Sequence, residues 1–221
     1  MRTVAGALVA LVASSIGAVA LLRYVPPWTS AVMVQEPGPL RSVQYRWVDR
    51  DRIAVEIARA VIAAEDQKFL THNGFDLDSI NQALDDYRRG DGLRGASTIT
   101  QQVAKNLFLW NGRSFVRKAL EAYFALLLET LLPKSRILEL YVNVAEFGPN
   151  VFGVEAAAGE LLGTDAARLT AGEAALLAAV LPSPKRYSAA EPGAYVRGRQ
   201  AAILGQMRVL EVRGHYRGLE W

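Results

Sequence analysis

The sequence predicts one mostly α domain carried on a single N-terminal membrane tether, and three observations carry that prediction. From Thr3 to Leu22 the chain holds no charged residue, with Arg2 in front of the run and Arg23 behind it. Farther along, nearly every periodic segment repeats its apolar residues at intervals of three and four, the spacing of a helix face, with little of the alternation that marks a strand. The chain has 221 residues and is 51% hydrophobic, enough to bury one sizeable core and leave room for a small second lobe.

The uncharged run comes first. At about 1.5 Å per residue it reaches roughly 30 Å as a helix, the thickness of a bilayer's hydrocarbon layer. A cleavable signal peptide is the competing reading, because Ala18-Val19-Ala20 would serve as its small-residue cleavage site. The run is longer than most signal-peptide cores, so an uncleaved anchor over residues 1–24 is expected. Either reading sends the rest of the chain out of the cytoplasm. Residues 25–42 follow as an extended connector holding Pro26, Pro27, Pro37 and Pro39.

Helical spacing then predicts helices over Ile53–Ala64, Leu77–Arg89, Thr98–Leu109, Phe115–Leu132 and Arg136–Phe147. Further helices are expected over Val154–Leu162, Ala171–Leu181 and Ala194–Val212. Ser114 and Ser135 stand at N-cap positions, and Thr170 with Glu173 forms a capping box. Gly163 and Pro133 are expected to close two of the helices. The main domain covers 43–192, and residues 193–221 form a C-terminal helix and tail with no usable motif.

Composition removes several classes of function. The chain has no cysteine, so neither a disulfide nor a thiolate metal site is available. His72 and His215 lie far apart and outside any HExxH pattern, which removes the common zinc hydrolases, and no metal-ligand set is expected. The excess of 25 Lys and Arg over 22 Asp and Glu is slight; it fits anionic partners such as lipid head groups or phosphates. No basic stripe with interleaved aromatics points to nucleic acid.

Four polar clusters interrupt the apolar pattern. Glu65-Asp66-Gln67-Lys68-Phe69-Leu70-Thr71-His72-Asn73-Gly74 follows an apolar helix directly. A carboxylate beside apolar walls has a raised pKa and acts as a general base or acid near neutrality, although an acidic pair at a helix end is more often simply solvated. In the second cluster, Gly95 to Asn106, helical spacing aligns Ser97, Gln101 and Lys105, with Gln102 and Asn106 in the adjoining row. Amides, a hydroxyl and a cation on one face suit sugar hydroxyls and a phosphate oxygen. In the third, Arg117 and Glu121 share a face, with an intrahelical salt bridge as the plain reading. In the fourth, Glu139 stacks over Asn143, and ties between helices are at least as good an account as catalysis.

Taken together these clusters read EDxxFxxHxG, GxSTIxQQxxKN, RKxxE and KxxILExYxN, in that order. The chain closely resembles the family 51 glycosyltransferases, the polymerase domain type of class A penicillin-binding proteins, and within them the monofunctional branch. The resemblance extends to about Pro192. One departure is Val142, where Leu is commoner. No Ser-x-x-Lys is present, so a polymerase without a transpeptidase domain is expected.

The resemblance implies a mostly α fold with a lysozyme-like helical lobe and a smaller membrane-facing lobe around Phe75 to Arg94, in which Gly90-Asp91-Gly92 is read as a mobile stretch. It implies an inner-membrane, single-pass protein with its catalytic domain on the periplasmic side. The reaction it implies joins lipid II, with inversion, to a glycan strand held on undecaprenyl diphosphate. Glu65 is then the general base, and Glu121 a second catalytic carboxylate that orients Arg117 or stabilises positive charge at the anomeric carbon. Lys105, Arg117 and Lys118 neutralise the diphosphate. Asp66, Ser97, Thr98, Gln101, Gln102, Asn106, Lys134 and Arg136 complete the implied substrate-binding set. Phe69, His72, Gly74, Glu139, Tyr141 and Asn143 have structural or unassigned roles. No cofactor is required, and the diphosphate leaves room for a divalent cation, Mg2+ or Mn2+. Membrane lipids and other cell-wall synthases are the further partners in view. A lysozyme-like muramidase or lytic transglycosylase acting on finished peptidoglycan is the alternative function, and a non-enzymatic membrane scaffold is a second.

Overall fold

The structure, a computed structural model, describes residues 2–39, 42–89, 97–112 and 114–221. In chain order its helices are α1 (Arg2–Leu21), α2 (Ala31–Val34), α3 (Val55–Glu65), α4 (Leu77–Arg88) and α5 (Ile99–Phe108). They continue as α6 (Phe115–Leu131), α7 (Lys134–Val144), α8 (Val154–Leu162), α9 (Ala171–Val180) and α10 (Ala194–Val212). Short strands β1 (Gln44–Tyr45), β2 (Glu146–Gly148) and β3 (Val151–Phe152) form a small sheet with β3 in the middle, parallel to β1 and antiparallel to β2.

The core is built on α3, whose residues Ile57, Ala58, Ala60, Val61 and Ile62 are essentially inaccessible. A helix that is apolar nearly all round can persist in water only when other elements enclose it. Here α9 and α10 cover it, and α9 presents the inaccessible side chains of Ala174, Ala175, Ala178 and Ala179, small enough to let the helices approach closely. α5 packs on α6 and α7, and α2 packs on α5. The Thr170–Glu173 capping box opens α9, and the left-handed Gly163 closes α8.

Several boundaries differ from the sequence reading. Ser135 does not cap α7. Pro133 occupies the cap position and its carbonyl accepts the amides of Arg136 and Ile137, so Ser135 is drawn into the buried first turn. Proline forces Leu132 into extended backbone, which ends α6 and starts α7 within two residues. The helix read as Arg136–Phe147 stops at Val144, because Glu146–Gly148 pairs with β3 instead. α5 starts at Ile99, so Ser97 lies off the helix and does not extend the Gln101–Lys105 row. Gly90-Asp91-Gly92 lies outside the described residues, as does most of the segment between α4 and Ser97.

α1 runs alongside α6. Ser15 Oγ and Tyr123 Oη are 2.7 Å apart, Arg23 donates to the Leu131 carbonyl at 2.8 Å, and Arg136 donates to the Leu22 carbonyl at 2.7 Å. Leu8, Val9, Leu11, Val12, Ile16 and Leu21 are nevertheless exposed. Among the described residues no helix is long and apolar enough to cross a membrane; the side chains of Arg2 and Val4, in the first turn of α1, lie outside them.

The turn from β3 into α8 depends on one glycine. Gly153 has φ +83° and ψ 150°, and a Cβ there would lie 2.6 Å from the Asn143 carbonyl oxygen. Gly153→Ala therefore combines backbone strain with a backbone clash and should cost about 1–3 kcal/mol or more of stability. Thermal unfolding checks this, and an unchanged midpoint would contradict it.

Candidate active site

Glu65 is the last residue of α3, delivered to the surface by a helix with most of its side chains in the core. Its side chain is 14% exposed. Gln102 Nε2 donates to one carboxylate oxygen at 3.0 Å, and Arg199 Nη2 reaches the other at 3.4 Å. Burial is the largest influence and raises the Glu65 pKa above the ordinary carboxylate value; the Gln102 hydrogen bond and Arg199 oppose it. The net result is a stronger base than a solvated carboxylate.

The neighbouring Asp66 has a different task. Both its oxygens accept from His72 Nε2, at 2.9 and 3.0 Å, and Oδ2 also accepts the Ile99 amide at 3.0 Å. A carboxylate at the first amide of α5 satisfies an orphan donor and complements the helix dipole. His72 Nδ1 accepts the Gly74 amide at 3.1 Å, which fixes the tautomer with the proton on Nε2. Gly74 has φ +84°, and a Cβ there would meet Glu129 Cγ at 3.0 Å. Its carbonyl accepts from Thr98 Oγ1 at 2.7 Å. Thr98 and Gln101 form a capping box at the start of α5, which engages both side chains at the helix terminus.

From α5, Gln102 links two clefts. While its Nε2 serves Glu65, its Oε1 accepts from Tyr141 Oη of α7 at 3.1 Å. Burial, then the charges of Glu65 and Asp66, push the Tyr141 phenol well above its usual range, so it stays protonated as the donor. One cleft, about 310 Å³, is lined by Glu65, Asp66, Ser97 and Thr98. The other, of the same size, is lined by Gln102, Lys105, Asn106, Tyr141 and Glu146. Burial, then repulsion from Arg117, lowers the Lys105 pKa, while Glu121 and Glu146 support its charge. Lys105 thus sits within the fields of both acidic groups.

Glu121 is buried on α6, with Arg117 donating to one oxygen at 2.7 Å and Lys118 contacting the other. Arg117 Nε is buried without a hydrogen-bond partner among the described residues, and Arg117, Lys118 and Glu121 are not among the residues lining either cleft. Lys118 also donates to Ser97 Oγ at 3.3 Å. Lys134 and Arg136 line neither cleft. Lys134 pairs with Glu129 at 2.8 Å and lies over the buried Phe69 ring. Arg136 pairs with Glu139 at 2.7 Å and lies over Trp47. Glu139 accepts the Arg50 amide, and Asn143 brackets Val48 through both its amide and carbonyl, so these two tie α7 to the segment before α3.

Two residues that the sequence did not mark stand in the site. Arg199 comes from α10, in the segment read as having no motif. That segment also holds α3 through Tyr216 Oη to the Arg59 carbonyl and Trp221 Nε1 to the Ile53 carbonyl. Glu146 comes from β2, within what periodicity assigned to a helix end.

Comparison with known proteins is consistent along nearly the whole chain. Residues 32–208 match the Transglycosylase family. A "Biosynthetic peptidoglycan transglycosylase" of Xanthomonas campestris pv. campestris (strain B100) is 51% identical, over 97% of this chain and 90% of its own length. Proteins of the same name from Pseudomonas aeruginosa and Shewanella oneidensis are 53% and 49% identical. The first alignment covers 88% of this chain and 87% of the relative, the second 89% and 86%.

Arg199 opposes the effect of burial on Glu65, so Arg199→Ala should make Glu65 take up its proton at higher pH than in the parent. Carboxyl resonances of 13C-glutamate-labelled protein, assigned with Glu65→Gln, report this directly. A Glu65 titration that stays put, or moves to lower pH, would remove Arg199 from the account.

Proposed function

The chain belongs to the Transglycosylase family, and from that membership we propose that it is a peptidoglycan glycosyltransferase which polymerises glycan strands from lipid-linked disaccharide units. The observation that carries the mechanism is the pairing of one buried, strengthened carboxylate, Glu65, with the cation Lys105 on the helix that also supplies Gln102 to Glu65.

A sugar hydroxyl is a poor nucleophile, so a positioned base must take its proton as it attacks. Glu65 takes the proton of the acceptor's 4-hydroxyl. That oxygen bonds to the donor's anomeric carbon from the face opposite the leaving group, the bond from carbon to diphosphate oxygen breaks, and configuration inverts. Undecaprenyl diphosphate departs as an anion. It needs charge neutralisation rather than protonation, and Lys105, on the wall of the second cleft, supplies a donor and charge for it, with Arg117 and Lys118 adding positive charge from α6. Glu121 holds Arg117 and Lys118 in place.

The same reading places the protein at the inner membrane with the catalytic domain on the periplasmic side. What supports it is α1, uncharged from Thr3 onward and carrying a row of exposed apolar side chains that water would not favour. A bilayer-confined substrate gives the tether its use.

Glu65→Gln keeps the shape of the side chain and removes the base. Incubated with lipid II, this variant should lose at least about a hundredfold in polymer formation while melting like the parent. Lys105→Ala should lose tenfold or more, the order of a charge-assisted contact worth about 1.5–3 kcal/mol. Near-normal turnover by a folded Glu65→Gln protein would end the assignment of the base.

A further inference from the structure

The second cleft holds a carboxyl group that the mechanism above does not use. Glu146 opens β2, immediately after α7 ends, and its side chain is 15% exposed. Its Oε1 is buried and makes no hydrogen bond. Lys185 Nζ forms a 3.7 Å ion pair with this oxygen, too long for a hydrogen bond, while both oxygens of Glu36 hold it at 2.6 and 2.7 Å. An acidic group in a cavity, with its acceptor oxygen unsatisfied and its nearest ammonium engaged elsewhere, is under pressure to bind a proton or a ligand.

We propose that Glu146 is a specificity-determining residue of the second cleft: its neutral carboxyl donates to a diphosphate oxygen beside Lys105, and its ionised form turns that anion away. The proposal rests on the reading that Lys105 handles the diphosphate. Three further observations support it. Glu146 and Lys105 line the same cleft and act on one another electrostatically. Burial, the largest influence, together with Glu36 raises the Glu146 pKa to about 7 against the pull of Lys185 and Lys105. Every charged group facing it is accounted for among the described residues: Lys105 from α5, Glu36 from the end of α2, and Lys185 from the turn after α9. Tyr141 from α7 lines the same cleft as a neutral phenol.

The sign follows from these groups. Below its pKa Glu146 is uncharged and donates; above it, a carboxylate faces an anion across a low-dielectric cleft. A diphosphate diester keeps the same charge throughout this range, so the protein's own group must carry any change in affinity. The effect therefore falls on KM on the alkaline side, whereas Glu65, which must lose its proton to act, limits kcat on the acid side.

The test is polymerisation of lipid II by the full-length protein in detergent, with kcat and KM measured at about pH 6 and about pH 8.5. The parent's KM should rise at least about fivefold between them, and that of Glu146→Gln, which cannot ionise, should change less than about twofold. Glu146→Ala should also lose the pH dependence but start from a higher KM at the lower pH, because no donor replaces the carboxyl. It serves as the second reading should Glu146→Gln melt early. A parent KM that does not change with pH, or a Glu146→Gln protein that keeps the parent's rise, would overturn the proposal. Lys105→Ala measured at the lower pH separates this failure from failure of the underlying reading: an unchanged KM there would remove Lys105 from the diphosphate.

Discussion

The structure depends on keeping one carboxylate, Glu65, at the edge of the core without either burying it alone or surrendering it to solvent. An isolated buried carboxylate would simply stay protonated, and a solvated one would be too weak a base. The fold meets both limits by surrounding Glu65 with donors from distant parts of the chain: Gln102 from α5 and Arg199 from α10, the latter 134 residues away. Each donor has its own anchor. Gln102 is fixed by Tyr141 of α7, and α10 is locked to α9 and α3. The apolar faces of these helices exist largely to set the relative positions of three polar side chains.

The residues beside Glu65 are bonded to one another as well as facing the first cleft. Asp66 holds the first amide of α5, His72 holds Asp66, the Gly74 amide fixes the His72 tautomer, and Thr98 returns to the Gly74 carbonyl. This closed circuit of hydrogen bonds joins the end of α3 to the start of α5.

Much of this was legible in the sequence, for physical reasons. Helical spacing located α4, α8 and α10 almost to the residue, because the periodicity of apolar residues is a local property. The polar clusters marked Glu65, Gln102 and Lys105, because amides and charges out of phase with an apolar stripe need a reason to be there. What local pattern could not give was partnership. Thr98 and Gln101 read as ligand-facing polar residues; their spacing is equally that of a capping box, and the structure forms one there. Arg199 lies on a regular helix among other arginines and differs from them only in what α10 packs against. Glu146 was assigned to the end of a helix, since two or three residues of strand are too few to show alternation; pairing with β3 takes the chain out of the helix there.

In the proposed mechanism the site is committed to a leaving group. Breaking a glycosidic bond in a finished strand means protonating a poor alkoxide, which calls for a second carboxyl held neutral beside that oxygen. Glu121, the second carboxylate that the sequence put forward, instead has both oxygens occupied by Arg117 and Lys118. Those cations suit a departing diphosphate. The most direct test supplies both kinds of substrate to the same preparation. Labelled lipid II should yield high-molecular-weight strands that a muramidase digests, and purified sacculi should release no soluble fragments. Fragments from sacculi with no polymer from lipid II would contradict the account.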